Sequence, residues 1–309
     1  MYKITLTPKF SMSSPIQTYE LPQSAQHKAF QIYEVEGKDI SNTTYPHKTN
    51  WPHRHNYYEI CFFINGSGKH EIDFVTHPIH SKSVHFISPG QVHLIARDKG
   101  YHGFLIVFTR EFYSLDTFHQ DLLQYLPFFN NRTMLPILNL NDQQFEDLLV
   151  LLKQMQKEYL SGMTMTKGVL RSFLQILLLK CRDFYLQHFA HKEKMNEPHF
   201  RHVQQFNLLV EQHFHKLHLV QDYSELLSLS PSQLNKYVKQ ITGHTAGEVI
   251  IDRLILEAKR LLLYTPLSNK EIAYELNYED PSYFSRIFRK KTGQSPSGFR
   301  KLMDEKYQF

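Results

Sequence analysis

Two stretches of the chain carry side chains suited to contact with duplex DNA. Ser232, Asn235, Lys236 and Lys239 fall on one side of a 3.6-residue repeat, and Ser282, Ser285, Arg286 and Arg289 occupy the same side of another. Both sets are small, polar and basic, with no carboxylate among them. Short polar side chains reach base edges, and Lys and Arg reach phosphate oxygens. Residues 281 to 291 add Lys290 and Lys291 and contain no acid, so positive charge is concentrated locally. The opposite sides read Leu234, Tyr237, Val238 and Ile241, and Phe284, Ile287 and Phe288, which gives each stretch an inward stripe. A second group of chemistry-bearing residues lies earlier in the chain: His53, His55, Glu59 and His93, among the aromatic residues Trp51, Tyr57, Tyr58, Phe62 and Phe86.

The elements that position the basic faces are legible from their punctuation. Asp222 with Glu225, Thr245 with Glu248 and Ser268 with Glu271 fit capping pairs, in which an oxygen and an acid three residues on satisfy the exposed amides of a helix start. Ser230-Pro231, Asp280-Pro281 and Ser295-Pro296 each put a capping residue before a Pro at the first helical position. Short helices with tight turns are therefore expected. Sliding this region against itself by 50 residues aligns Glu225-Leu226 with Glu275-Leu276, Pro231-Ser232 with Pro281-Ser282, Lys236 with Arg286, Lys239 with Arg289, and Thr242-Gly243 with Thr292-Gly293. One supersecondary unit is used twice. Each copy reads as a short helix, a turn of about four residues and a second helix from Pro to Gly, the outline of a helix-turn-helix. A lone basic face could equally be solvated surface, but its duplication with the same caps and polarity favours DNA. Residues 246 to 264 form one apolar-striped helix between the copies. At 1.5 Å per residue it spans nearly 30 Å, close to the roughly 34 Å between successive major grooves.

Glu271 to Gly293, followed by Ser295-Pro296 and Phe299-Arg300, resembles the signature of the AraC family of bacterial transcription regulators. The resemblance runs over about residues 200 to 303, with Leu229 to Lys236 fitting the more divergent first unit. Asn277 stands where the family usually has Gly, and Asn is the next best residue for a left-handed turn. By position, the family's base-reading residues map to Ser232, Asn235 and Lys236, and to Pro281, Ser282 and Arg286. The DNA-contacting set expected on the two helices is Ser232, Gln233, Asn235, Lys236, Lys239, Pro281, Ser282, Tyr283, Ser285, Arg286 and Arg289. The family also implies a small-molecule effector, RNA polymerase as a protein partner, and a homodimer formed outside the DNA-binding domain.

Before residue 110 the chain reads as short β segments. Tyr57 to Ile64 and Lys69 to Phe74 flank Asn65-Gly66-Ser67-Gly68, a hairpin signal. Val84 to Ile87, Val92 to Ala96 and Phe104 to Phe108 follow, so a small antiparallel sandwich or barrel is expected. Helical periodicity then takes over at about 142 to 189, for packing on the β domain or for a dimer seam. His53-x-His55-x3-Glu59-x6-Gly66 resembles the first cupin motif, and Pro89 to His93 part of the second. In metal-binding cupins the matching residues, His53, His55, Glu59 and His93, hold one ion, and imidazole with carboxylate suits zinc, iron, nickel or manganese. Ser83, the adjacent Pro89-Gly90 and Arg97 depart from the second motif. Three readings stay open: a divalent metal site, a metal-free effector pocket needing no cofactor, and structural residues.

The expected architecture is α+β: residues 1–190 a cupin-like antiparallel β-barrel with following helices, 191–198 a linker, and 199–309 an all-α domain with both helix-turn-helix units. Net charge is +5, mild for a DNA-binding protein. Cys61 and Cys181 make neither a disulfide framework nor a zinc cluster, and read as buried small hydrophobes. The first fifteen residues lack an apolar run, and Arg171, Lys180, Arg182 and Asp183 interrupt the most apolar helix. A cytoplasmic protein without membrane contact is expected. The rival reading is a metal-dependent cupin enzyme with a helical accessory domain.

Overall fold

The computed structural model describes residues 18–21, 29–37, 51–98, 100–113, 123, 126–129, 135–162, 165–188 and 199–307. Two compact units meet in sequence between Gln204 and Gln205. The expected linker at 191–198 lies outside the described residues.

In the first unit, strand β4 (Tyr58–Asn65) is buried on both faces along most of its length. A strand of that kind needs a neighbour on either side and a layer above and below. It lies between β7 (Ser83–Ile87) and β9 (His102–Phe108), in an antiparallel sheet of order β10-β7-β4-β9-β2, with β2 at Phe30–Glu36 and β10 at Ile137–Asn139. A second sheet has the order β6-β5-β8, from Val75–Ile79, Gly68–Ile72 and His93–Arg97. β1 (Thr18–Tyr19) pairs in parallel with β3 (Arg54–His55).

The two-residue side-chain period sorts each strand between two cores. Tyr57, Cys61, Phe63, Leu105 and Val107 join Ile72, Ile79 and Ile95 of the smaller sheet in the core between the sheets. Tyr58, Ile60, Phe62, Phe86, Phe104 and Phe108 face the other way, onto α2 (Asp142–Ser161) and α3 (Thr166–His188), where Phe145 stacks on Phe62 at 5.6 Å. A four-residue helix α1 (Arg110–Tyr113) precedes them.

Two expectations for this unit are corrected. The barrel is an open one: among the described residues the sheets face each other without joining into a closed hydrogen-bonded cylinder. The hairpin across Asn65 to Gly68 does not form, because β4 pairs with β7 and β9 while β5 pairs with β6 and β8. Residues 66 and 67 instead carry the chain from one sheet to the other, with Gly66 at φ 121° and Gly68 at φ 150°. A Cβ on Gly68 would lie 2.2 Å from the Ala96 carbonyl, so the corner needs glycine sterically as well as conformationally. The hairpin of this region is β5–β6, closed by Asp73 and Phe74 at φ 47° and 71°. A Phe at such a position gives no turn signal, so Lys69 to Phe74 looked like one strand.

The second unit is helical throughout: α4 (Phe200–His213), α5 (Val220–Leu226), α6 (Pro231–Thr242), α7 (Ala246–Tyr264), α8 (Asn269–Glu275), α9 (Pro281–Thr292) and α10 (Pro296–Tyr307). Thr245 and Ser268 form capping boxes with Glu248 and Glu271. Asp222 departs from expectation. It is the third residue of α5 rather than its cap, and its carboxylate accepts the Leu219 amide at 3.2 Å. The helix therefore starts three residues earlier. α7 occupies the expected 19 residues, about 28 Å. It buries Arg253 and Arg260 beside Glu257, at 2.8 and 3.1 Å.

The repeat is also more structured than a uniform offset. The second helices correspond at 50 residues, but the first correspond at 49: Leu227 and Leu276 each bond back to the carbonyl four residues earlier, and Ser228 and Asn277 are each left-handed, at φ 54° and 58°. One extra residue in the second turn absorbs the difference. Leu276 is buried, whereas Leu226, its partner at an offset of 50, is 53% exposed.

Candidate nucleic-acid interface and sensor site

α6 and α9 are built alike. Pro occupies the first turn of each, after Ser230 and Asp280 as caps, and left-handed Gly243 and Gly293 end them at φ 80° and 78°. Leu234 and Val238 are buried in one, Phe284 and Phe288 in the other. From the second residue of each helix to the tenth, the alternation of buried, half-buried and exposed positions is the same. Ser232, Gln233, Lys236 and Lys239 are exposed on the first helix; Ser282, Tyr283, Arg286 and Arg289 are exposed on the second. Pro281, Asn235 and Ser285 are half-buried.

Several of these side chains have local duties that sequence reasoning missed. Asn235 Oδ1 accepts the Ala246 amide at 3.0 Å, tying α6 to the start of α7. Gln233 Oε1 accepts the Ser230 amide at 3.0 Å within the capping box. Ser285 donates to the Pro281 carbonyl at 2.9 Å. Arg286 extends beside its own helix cap, with Nη2 3.8 Å from Asp280 Oδ2 and the guanidinium 5.8 Å from the Tyr283 ring centre. It is 71% exposed, so the pairing is loose. Lys291 is paired at 2.7 Å with Asp252 of α7, and both Lys290 and Lys291 are exposed.

In the other unit, burial gathers five histidines in and beside the space between the sheets. His53, His55, His70, His85 and His93 are each at most 1% exposed, and Glu59 is as buried. The strands bearing them are held to one another by backbone bonds: His53 and His93 exchange a pair at 3.1 and 2.9 Å, and the Gly90 amide donates to the His55 carbonyl at 2.8 Å. His55, Glu59 and His93 place one ligand atom each within 4.8 Å of one another. His53 stands outside this group, packed on the His93 ring at 4.3 Å.

Hydrogen bonds orient the rings. His55 Nδ1 lies 2.7 Å from the Tyr57 carbonyl and His53 Nδ1 2.8 Å from that of Trp51, so both nitrogens carry their protons and both Nε2 atoms present lone pairs. Burial lowers the basicity of these imidazoles, to about 4 for His53, about 3 for His55 and His85, and well below the ordinary value for His70. They are neutral at physiological pH. His70 and His85 belong to no motif spacing. The available signal was alternation: with Ile72 inward on β5, His70 must be inward too. Of the aromatics considered as lining, Tyr57 shares the inter-sheet core, Tyr58, Phe62 and Phe86 face the helices, and Trp51 is exposed. Cys61 donates to Glu59 Oε1 at 3.3 Å, and Cys181 is buried among the helices.

Residues 40–155 match the family model described as the AraC-like ligand binding domain, and residues 223–302 match that of the helix-turn-helix domain. The chain belongs to the AraC family. It is 24% identical over 287 residues to an uncharacterised HTH-type transcriptional regulator, YfiF of Bacillus subtilis, covering 88% of this chain and 87% of that one. It is 27% identical over 252 residues to the transcriptional activator RhaR of Mannheimia succiniciproducens, covering 80% and 86%. Among solved structures, the C-terminal domain of AraT, a response regulator from Geobacillus stearothermophilus, is 30% identical, covering 34% of this chain and 86% of that one, with a TM-score of 0.32. This AraC-family protein is a transcription regulator with an N-terminal ligand-binding domain and a C-terminal helix-turn-helix DNA-binding domain, and the enzyme reading falls away. Among the described residues no helix is long and apolar enough to cross a membrane.

Proposed function

We propose that this regulator reads DNA through α6 and α9, with its domains divided as 1–190, a linker at 191–198 and 199–309. The observation that carries the reading is the shared pattern of exposure on two capped helices whose outward faces hold Lys and Arg and no acid. Ser232, Lys236, Ser282, Tyr283 and Arg286 stand nearest the helix starts, where base edges are met, and Lys239 and Arg289 stand further along, where phosphates run. Asn235, Gln233, Ser285 and Pro281 shape this surface from positions partly engaged within the protein.

An effector held between the sheets, around His53, His55, Glu59 and His93, shifts DNA binding only through a difference in its affinity for two arrangements of the protein. Val169, Ile176 and Leu179, exposed along one side of α3, with Met165 exposed just before its start, support a homodimer formed through the first domain. The activators among its relatives support RNA polymerase as the partner of the bound protein, and duplex DNA as the target supports a cytoplasmic site of action. Selection from random duplexes tests the reading. It should return a site with two base-specific segments about one helical turn apart; enrichment of no sequence would sink it.

A further inference from the structure

Both helix-turn-helix units are carried by α7, the first fastened near its start by Asn235 and the second near its end by Arg300, whose Nε donates to the Leu262 carbonyl at 2.7 Å. Helices of that length bend, so the rod alone holds the angle between its two loads poorly. A second connection runs beside it. Residues 214–218, after α4, are anchored to the first unit, where the Tyr223 hydroxyl donates to the Leu217 carbonyl at 2.8 Å. They are also anchored to α7, where the Arg253 guanidinium lies 3.6 Å from the Phe214 ring centre. From there the segment reaches the turn of the second unit. The His218 ring packs on Tyr278 at 4.9 Å, and Asn277 Nδ2 donates to the Lys216 carbonyl at 3.4 Å.

The turn it reaches is the one lengthened by one residue. Tyr278 is 8% exposed, and its ring continues onto Phe284, a buried residue of α9, at 5.5 Å. Ring packing thus leads from the first unit to the second recognition helix. It carries the larger share of the connection, since the Asn277 bond is long and exposed. Asn277 stands at φ 58°, where a glycine would serve the turn as well but could not make that bond.

We infer that His218, Tyr278 and Asn277 form a brace that sets the angle between α6 and α9, and with it the spacing of the two base-read segments that the protein accepts. The inference rests on the reading of DNA through both helices. One base pair inserted between the segments rotates one against the other by about 35° and moves it by about 3.4 Å. A braced pair of helices meets the longer site with one helix out of register. An unbraced pair follows the change by bending α7. His218, Tyr278 and Asn277 are positioning residues: they act through the recognition helices.

The test uses the full chain, a site selected from random duplexes, and copies of that site with one base pair inserted or removed between its two segments. Mobility shift gives the ratio of affinities for native and altered spacing. The wild type should lose about tenfold or more on either change. The double variant His218→Ala with Asn277→Gly should bind the native spacing within about threefold of wild type and lose no more than about threefold on either change. His218→Phe, which keeps a ring over Tyr278, should retain the wild-type ratio. Thermal unfolding checks each variant, and Asn277→Gly, which suits the turn, decides alone if His218→Ala misfolds. Variants with the wild-type ratio, a His218→Phe protein that behaves like His218→Ala, or a wild type indifferent to spacing would each overturn the inference while the DNA-binding reading stands. A selected site with a single base-specific segment, or no selected site, would instead overturn the reading through α6 and α9.

Discussion

Asn235 Oδ1 accepts the amide of Ala246 at 3.0 Å, so a residue of the first recognition helix fastens the first turn of the helix that spans to the second unit. Replacing it tests whether its duty is internal. Asn235→Ala should lower the stability of the DNA-binding domain by about 1 kcal/mol in chemical denaturation. It should also weaken binding to all sequences alike. A loss confined to one base position would make Asn235 a base reader instead.

Arg286 is the strongest candidate for direct readout, being mostly exposed beside the start of α9 and only loosely paired with Asp280. Arg286→Ala should cost about 1–3 kcal/mol of specific binding and relax preference at one base pair. Lys239→Ala and Arg289→Ala should weaken every sequence and flatten the salt dependence. Binding isotherms on a set of single-base variants, at several salt concentrations, separate the two behaviours.

Glu257 links stability of the DNA-binding domain to pH. Burial pushes its carboxyl up, but the Arg260 and Arg253 guanidiniums outweigh this and hold it below the ordinary value of 4.5. A carboxylate with a depressed folded pKa contributes fully above its unfolded value, and the contribution fades as pH falls through the folded one. Unfolding midpoints should therefore drop as pH falls below 4.5. Glu257→Gln should reduce that pH dependence, leaving the part due to the capping carboxylates Glu248 and Glu271, and, by leaving buried guanidiniums short of a partner, cost about 3 kcal/mol at neutral pH.

Gly68 turns the corner between the sheets at φ 150°, with no room for a Cβ beside the Ala96 carbonyl. Gly68→Ala should destabilise the first domain by at least about 2 kcal/mol, through backbone strain and displacement of β8. Calorimetry of the full chain should show the transition of that domain moving down while that of the DNA-binding domain stays in place.

The second domain was legible because its signals are local. Thr245 with Glu248, Ser268 with Glu271 and the Pro-to-Gly helices are decided within a few residues, and the internal copy checks each reading. Asp222 misled because acids suit both the cap and the third position of a helix. The first domain was less legible because its pairings are long-range. Which strand takes Tyr58 to Asn65 as its neighbour depends on β9, some forty residues on, and the Asn-Gly signal at the corner suits a bend between sheets as well as a hairpin. His70 and His85 escaped because a motif describes residues near in sequence, whereas burial brings these together from separate strands.

Matched registers with unmatched faces give the bound protein a polarity. The first unit presents Lys236 where the second presents Arg286, and Gln233 where the second presents Tyr283. If α6 and α9 read DNA as proposed, two such heads joined in fixed order by α7 would meet an asymmetric stretch of duplex, so a single chain would distinguish a site from the same site inverted. A regulator built this way would know upstream from downstream on its own.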